Sequence, residues 1–432
     1  MSSKQLETVK LTARFKLDEC MDESLFETYR SIVNELLGYA HSKGITSFKK
    51  LRSEKYYELR QRYPKLPSHY IYTACQMACS IYKSFKKLRR KGKLGTDKPL
   101  FKKHVIMLDD HLFKLDLEKR IIKISTPNGR VALRFYPAKY HEKFREWRVG
   151  QAWLVETPKG IFVNVVFSRE VEIREPRNFV GVDLNENNVT LAFPDGFVQI
   201  ITHEREIRTG YFVKRRRIQR KLKIGGWRKE LLEKYGKRER NRLNDLYHKL
   251  ANKIVKLAEK YGGIALEDLT NIRDSIKHSA EINGRLHRWS FRKLQSIIEY
   301  KAKLKGIKVV FVNPNHPSSL CPICGRKLSP NGHRVLKCEC SLEADKDVIG
   351  SWNIRSKALK MWGASVPPES PPMKPEEGRL STTNVTKVIK VAESRNGTKK
   401  KRMVCEVLRP PRCDGRCSRC SDQYYGCCNP HH

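Results

Sequence analysis

The sequence predicts an α/β protein built as two lobes, on three observations. Apolar and polar residues alternate with period two at both ends of residues 1–172, with helical periodicity between them. From Arg177 short apolar strands alternate with long helical stretches, the order expected of a sheet with some parallel pairing. From Gly363 the composition turns proline-rich and polar (ASVPPESPPMKPEEGRLSTT), so residues 363–432 read as a disordered tail.

The elements follow in order. TVKLTARFKL (Thr8 to Leu17) is strand-like, and a helix capped by Asp22 or Ser24 carries Leu25, Ile32, Val33, Leu36 and Leu37 at helical spacing. More helix runs from Leu51 to Arg90, broken near Pro64 and Pro67, and ends in the basic run Lys86 to Lys93. HLFKLDLEKRIIKIS, a Pro127-Asn128-Gly129 turn and RVALRFY read as one hairpin. QAWLVETPKGIFVNVVFS adds two strands around Pro158-Lys159-Gly160. A β module, residues 1–172, is thus split by a helical insertion. FVGVDLNENNVTLAFPDGFVQI then gives three strands joined at Asn185–Asn188 and Pro194–Gly196. A cation-rich helical hairpin, Arg205 to Tyr261, turns near Gly225-Gly226. The strand GIALEDL, an irregular stretch Arg273 to Arg285, an amphipathic helix Trp289 to Leu304 and the strand IKVVFV complete this region. The irregular stretch, poor in apolar residues, is a candidate lid. Trp289 and Phe291 are read as core rather than as base-stacking residues.

Charge narrows the function. Lys and Arg number 88 against 46 acids, a formal net charge of +42. A compact fold this cationic repels itself unless a polyanion shares it, which favours nucleic acid over a solvated basic surface or an anionic membrane. No apolar run is long enough to cross a bilayer and MSSKQLETVK lacks an apolar signal core, so the protein is expected in the cytoplasm. On the hairpin, Lys214, Arg217, Arg220 and Lys221 are candidate phosphate contacts, with Arg217, Arg220 and Lys221 on one helical face expected to flank the acids described below. Lys86 to Lys93 reads equally well as a solvated helix end.

The 13 cysteines divide into three groups. Cys20, Cys75 and Cys79 lie among helical residues as ordinary buried thiols. Cys321, Cys324, Cys338 and Cys340, in CPICG and CEC, are four thiolates close in sequence, suited to a closed tetrahedral Zn²⁺ site; the C-x-C spacing of the second pair departs from the usual C-x-x-C. Six cysteines from Cys405 to Cys428, with His431 and His432, have no apolar scaffold around them. They read as part of the tail or as a second metal ligand set.

Three acids stand out. Asp183 lies in the apolar strand VGVDL, where Val182 and Leu184 point to the opposite face, and an ionised carboxylate there is costly without a cation. Glu267 ends the apolar strand GIALE. Asp345 and Asp347 precede the helical run VIGSWNIRSKALKMW. Each has a plainer reading as well: a turn residue for Asp183, strand-end solvation for Glu267, N-capping for Asp345 or Asp347. Together on one basic α/β domain they suit a Mg²⁺ site that activates water against a phosphodiester.

The order GVDLNENNVTLA, IALEDL, CPICG…CEC and DKDVIGSWNI resembles the TnpB-type proteins of insertion sequences, relatives of the compact type V CRISPR effectors. The similarity covers residues 178–362 with specific motifs and the first half loosely. It implies an RNase H-like (RuvC) nuclease domain over 177–362 with a zinc-ribbon-like insert at about 316–342, preceded by a wedge-like β-barrel with a helical recognition insertion at about 20–100. It implies a transposon-associated endonuclease that takes guide RNA from the transposon end and cuts target double-stranded DNA. Asp183 and Glu267 match the first two catalytic acids. Asp347 matches the third, with Asp345 as the alternative. Ile349, Gly350 and Ser351 stand where the family commonly has Asn-Ala-Ala, while Asn353 is retained. Two rivals remain at this point: a catalytically silent nucleic-acid-binding regulator, which needs no acids, and a strand-transfer transposase, which needs no RNA.

Overall fold

Strand β8 (Asn178–Leu184) organises the second half of the protein. It is described in a computed structural model covering residues 5–18, 21–221, 226–270, 279–314, 318–332, 334–363 and 387–390. Beside β8 run β11 (Gly262–Glu267) and β12 (Lys308–Val312), both parallel in sense. On its other side β9 (Asn188–Phe193) and β10 (Gly196–Ile201) return antiparallel. β16 (Lys387–Lys390) adds a parallel strand at the edge. The sheet order is β12-β11-β8-β9-β10-β16. Part of the expected disordered tail is therefore a strand; the cysteines from Cys405 onward, and Cys20, lie outside the described residues.

Alternation along β8 and β11 sends two kinds of residue to two faces. Val180, Val182, Leu184, Ile264 and Leu266 join a dry core with α5 (Gly226–Ala258) and α7 (Phe291–Leu304), including Leu250, Ile254, Leu294 and Ile298. The other face packs against α8 (Lys346–Met361), with Phe179 and Ala265 meeting Ile354 and Ala358. β8 and α8 meet closely at Gly181, where an added Cβ would stand 2.1 Å from the Ser351 carbonyl oxygen and 2.7 Å from the Arg355 nitrogen. Only glycine allows that approach.

The first half has its own core, with Phe15, Tyr29, Tyr70, Phe135 and Phe167 fully buried. β1 (Gln5–Lys16), β7 (Gly160–Ile173), β6 (Arg148–Thr157) and β2 (Val105–Leu108) form one antiparallel sheet. β3 (Phe113–Asp116), β4 (Ile121–Thr126) and β5 (Gly129–Arg134) form a second, joined to the first by a bridge between Leu17 and Phe135. The stretch read as one strand of a hairpin is thus two, because Arg120 takes φ 58° and turns the chain between them. Helices α1 (Glu23–Ser42), α2 (Phe48–Arg62) and α3 (Ser68–Arg90) are inserted between β1 and β2, and Asp22 caps α1 by accepting from the Ser24 N–H at 2.9 Å. No helix among the described residues is long and apolar enough to cross a membrane.

α4 (Glu204–Lys221) and α5 form the expected hairpin. The stretch Arg273 to Arg285, expected to be irregular, ends inside a helix, α6 (Ala280–Arg288), capped by Ser279, whose hydroxyl accepts from Ile282 N–H. Asn283 and Gly284, poor helix formers, hide it in the sequence. Residues 271–278, where the rest of the candidate lid falls, lie outside the described residues.

Candidate metal centre and nucleic-acid surface

Asp183 and Glu267 both stand at the C-terminal ends of neighbouring parallel strands, one residue beyond the Val182–Leu266 register pair for Glu267. Ligand sites of open α/β sheets gather at that edge. Both point to the α8 face, two residues on from Gly181 and from Ala265 respectively. α8 supplies Asp347, only 7% exposed, in its first turn.

Asp183 feels both other carboxylates in a poorly hydrated site. Burial, then Asp347, then Glu267 push the Asp183 carboxyl up to about 7. Burial pushes Glu267 up to about 7 as well, against the pull of Lys357. Glu267 Oε1 is buried with no hydrogen-bond partner among the described residues. Buried acids gathered at one sheet edge, one with an orphaned oxygen, are what a divalent cation stabilises. The acids do not close into a one-ion cage. Among the described residues only the four cysteines bring all their ligand atoms within 4.8 Å of one another.

The turn between β8 and β9 steadies two of the acids. Asn185 Nδ2 donates to Asp183 Oδ2 at 3.0 Å, and Asn188 Nδ2 donates to Asp347 Oδ2 at 3.0 Å. The turn is itself pinned: Thr202 N–H donates to the Asn187 carbonyl at 2.8 Å and the Thr202 hydroxyl to the Glu186 carbonyl at 3.0 Å. Glu186 also pairs with Arg285 of α6, N–O 2.8 Å. Arg334 donates to Asp347 Oδ2 through Nη2 and to Asp345 Oδ2 through Nε at 3.1 Å. Asp345 caps α8, accepting from the Asp347 N–H at 2.8 Å. Of the two acids weighed for the third position, Asp345 thus has capping and Arg334 as its partners, while Asp347 acts on Asp183. Ile349, where the family commonly has asparagine, is fully buried with Ala192, Phe197 and Trp352. An amide there would be stranded. Gly350 faces the acid, its added Cβ lying 3.3 Å from Asp183 Oδ2.

The cysteine group is compact. Cys321 and Cys340 sulfurs stand 3.6 Å apart, Cys324 and Cys338 3.4 Å. Four thiolates at Zn–S of about 2.3 Å on a tetrahedron stand roughly 3.8 Å from one another, so the donors fit zinc. The clip sits beside a small sheet of β13 (Ser329–Pro330), β14 (Val335–Lys337) and β15 (Glu343–Asp345), the last leading directly into α8. It packs on Val348, Ile349 and Trp352, which sets the start of the helix that carries Asp347.

Lys214, Arg217 and Arg220 are exposed along α4; the Lys221 side chain lies outside the described residues. At about 1.5 Å per residue they sit roughly 15–24 Å along the helix from Glu204. Glu204, with Arg208 and Tyr247, anchors the base of the hairpin (Arg208 Nε to Glu204 Oε1, 2.7 Å; Arg208 Nη2 to the Tyr247 hydroxyl, 2.7 Å). These cations lie on the α4–α5 hairpin, beyond that anchored base. Along the hairpin, Lys214 lies over the Tyr235 ring at 5.5 Å and Arg216 over Phe212 at 5.5 Å. Trp289 and Phe291 make an edge-on pair, centroids 5.3 Å apart, with Phe291 buried, consistent with core.

Asn188, Arg334, Lys357 and Gln295, whose Nε2 donates to the Glu267 carbonyl at 2.7 Å, were not read from the sequence. The one available signal was the amide-rich turn NENN next to Asp183.

Two family models match the chain: "Uncharacterized protein MJ0013 family" over residues 25–125 and "Cas12f1-like, TNB domain" over residues 291–354. A TnpB-like protein of Methanocaldococcus jannaschii is 38% identical over 261 residues, covering 57% of this chain and 93% of the relative. A second TnpB-like protein of that organism is 26% identical over 302 residues, 68% of this chain and 69% of the relative. The CRISPR-associated endodeoxyribonuclease Cas12f1 of Sulfoacidibacillus thermotolerans is 40% identical over 113 residues, 25% of each chain. Among solved structures, a Cas12f1–sgRNA–target DNA complex matches in fold with TM-score 0.50 at 14% identity, over 81% of this chain and 99% of that one.

Proposed function

The chain belongs to the TnpB-like family, relatives of the type V effectors, and from that premise we propose that it is a transposon-associated, RNA-guided DNA endonuclease with Asp183, Glu267 and Asp347 as its Mg²⁺-binding acids. The observation that carries the reading is the gathering of three acids at one sheet edge: Asp183 and Glu267 at the ends of neighbouring parallel strands, with buried Asp347 of α8 tied to the β8–β9 turn through Asn188. Bound Mg²⁺ would supply an activated water and stabilise the leaving oxygen of the phosphodiester. Asn185 and Asn188 hold two of the carboxylates in orientation, and Arg334 offers a cation beside Asp347 for the substrate phosphate. Residues 177–362 act as the RNase H-like nuclease domain. The zinc clip fixes the entry into α8.

The first lobe, residues 1–172 with its helical insertion, holds guide RNA and the flanking DNA in this reading, as the barrel lobe does in the resembled family. Lys214, Arg217, Arg220 and Lys221 on the hairpin take phosphates along the nucleic acid, about one counterion released for each contact. The carboxylate set supports cutting over silent binding. Co-expression with the flanking DNA, sequencing of the co-purified RNA and incubation with a matching duplex and Mg²⁺ tests this. Cleavage by the wild type and none by Asp183→Ala is expected, with RNA binding retained. Equal cleavage by both proteins contradicts it, and transposon-end joining without RNA would favour strand transfer.

A further inference from the structure

The turn residue Asn188 does more than orient an acid. Its amide nitrogen is committed to Asp347 Oδ2 at 3.0 Å, which leaves its Oδ1 on the other side of the same planar group. That oxygen is buried and has no hydrogen-bond partner among the described residues. An amide oxygen left in this state is costly unless something meets it. Flipping the amide would not satisfy it, because Oδ1 would then face the carboxylate.

A second orphan lies on the same ground. Thr190 is the cross-strand partner of Asp183 in the β8–β9 ladder, so both side chains stand on the α8 face. Thr190 is fully buried and its Oγ1 also lacks a partner among the described residues. With Glu267 Oε1, three polar oxygens around Asp183 are desolvated and unpaired. Arg334 already serves Asp345 and Asp347. Among the described residues no protein donor meets the three, and the groups are hard oxygens of the kind Mg²⁺ and Mn²⁺ take.

We propose that Asn188 is a further metal ligand of this centre, its Oδ1 binding the same divalent ion that Asp347 holds. This rests on the acid-cluster reading above. The amide then has two tasks: its N–H₂ fixes the Asp347 carboxylate, and its oxygen meets the ion. Thr190 lends its hydroxyl to the water shell of that ion.

The test uses the full-length, zinc-loaded protein and Mn²⁺ titrated by electron paramagnetic resonance, with no cleavage readout. Asp183→Asn is the control for the site, and Asn188→Ala and Asn188→Asp separate the two tasks. The expected result is that Asp183→Asn loses the tight Mn²⁺, Asn188→Ala weakens it about tenfold or more, and Asn188→Asp, which keeps the oxygen but not the N–H, binds at least as tightly as wild type. Wild-type affinity in Asn188→Ala overturns the proposal and leaves the acid site standing. Equal loss in Ala and Asp also overturns it, reducing Asn188 to a holder of Asp347. Wild-type binding in Asp183→Asn overturns the acid-site reading and this proposal with it.

Discussion

The two faces of the central sheet are made by alternate residues of the same strands, yet they are built for opposite ends. Toward α5 and α7, β8 and β11 present Val180, Val182, Leu184, Ile264 and Leu266, a face of aliphatic side chains that buries dry surface. Toward α8 they present Phe179, Gly181, Asp183, Gly263, Ala265 and Glu267, which includes two glycines and two acids. The first face stabilises the fold. The second gives up side-chain volume so that α8 can come close, and uses that closeness to bring Asp347 to Asp183. One strand can do both because its period is two: stability and chemistry are separated by direction rather than by distance along the chain.

Substitutions on the two faces should therefore fail differently, and the largest effect is expected at Gly181. Gly181→Ala forces a backbone collision at 2.1 Å, so α8 must move, taking Asp347 with it. Loss of tight Mn²⁺ binding and a steep fall in melting temperature are expected, checked by metal titration and calorimetry. On the opposite face, Leu266→Ala leaves a cavity costing about 2–5 kcal/mol. It should lower stability in chemical denaturation while Mn²⁺ affinity in the folded protein stays near wild type. If Leu266→Ala cost metal binding as much as Gly181→Ala, the division of labour between the faces would be wrong.

A smaller effect concerns pH. Asp183 and Glu267, both raised to about 7, hold their protons more tightly folded than unfolded. Metal-free stability from these groups is therefore greatest below about pH 4 and is lost as pH rises through about 7. Melting at pH 5.5 and 7.5 should show the loss, and Asp183→Asn should shrink it. Added Mg²⁺ should recover stability mainly at the higher pH. The smallest effect is expected at Gly350→Ala, which restores the residue common in the family. Its methyl meets Asp183 Oδ2 at 3.3 Å, a contact relieved by a shift of tenths of an ångström, while helix propensity improves by about 1 kcal/mol. Melting temperature should hold or rise slightly.

How far the sequence foretold this division depends on the face. The apolar face was legible from alternation alone, and so were Asp183 and Glu267, because an acid in an aliphatic strand breaks its pattern. Asp347 needed resemblance to be chosen over Asp345, since a helix start accommodates either; the contacts of Asp345 with Arg334 and the Asp347 N–H are set by the folded insert. Arg334 and Asn188 were not legible, because their proximity to the acids arises where β14, the β8–β9 turn and α8 meet in space. α6 was hidden by its own weak helix formers, and the break between β3 and β4 by a left-handed turn at Arg120 that carries no glycine.

The direct measurement is a Mn²⁺-soaked crystal structure of the full chain, with the ions located by anomalous scattering. Two peaks about 3.5–4 Å apart, both touched by Asp183 and shared between Glu267 and Asp347, are the expected result. Mn²⁺ absent from this edge of β8 and β11, or bound elsewhere while the three carboxyls stay unligated, would contradict it.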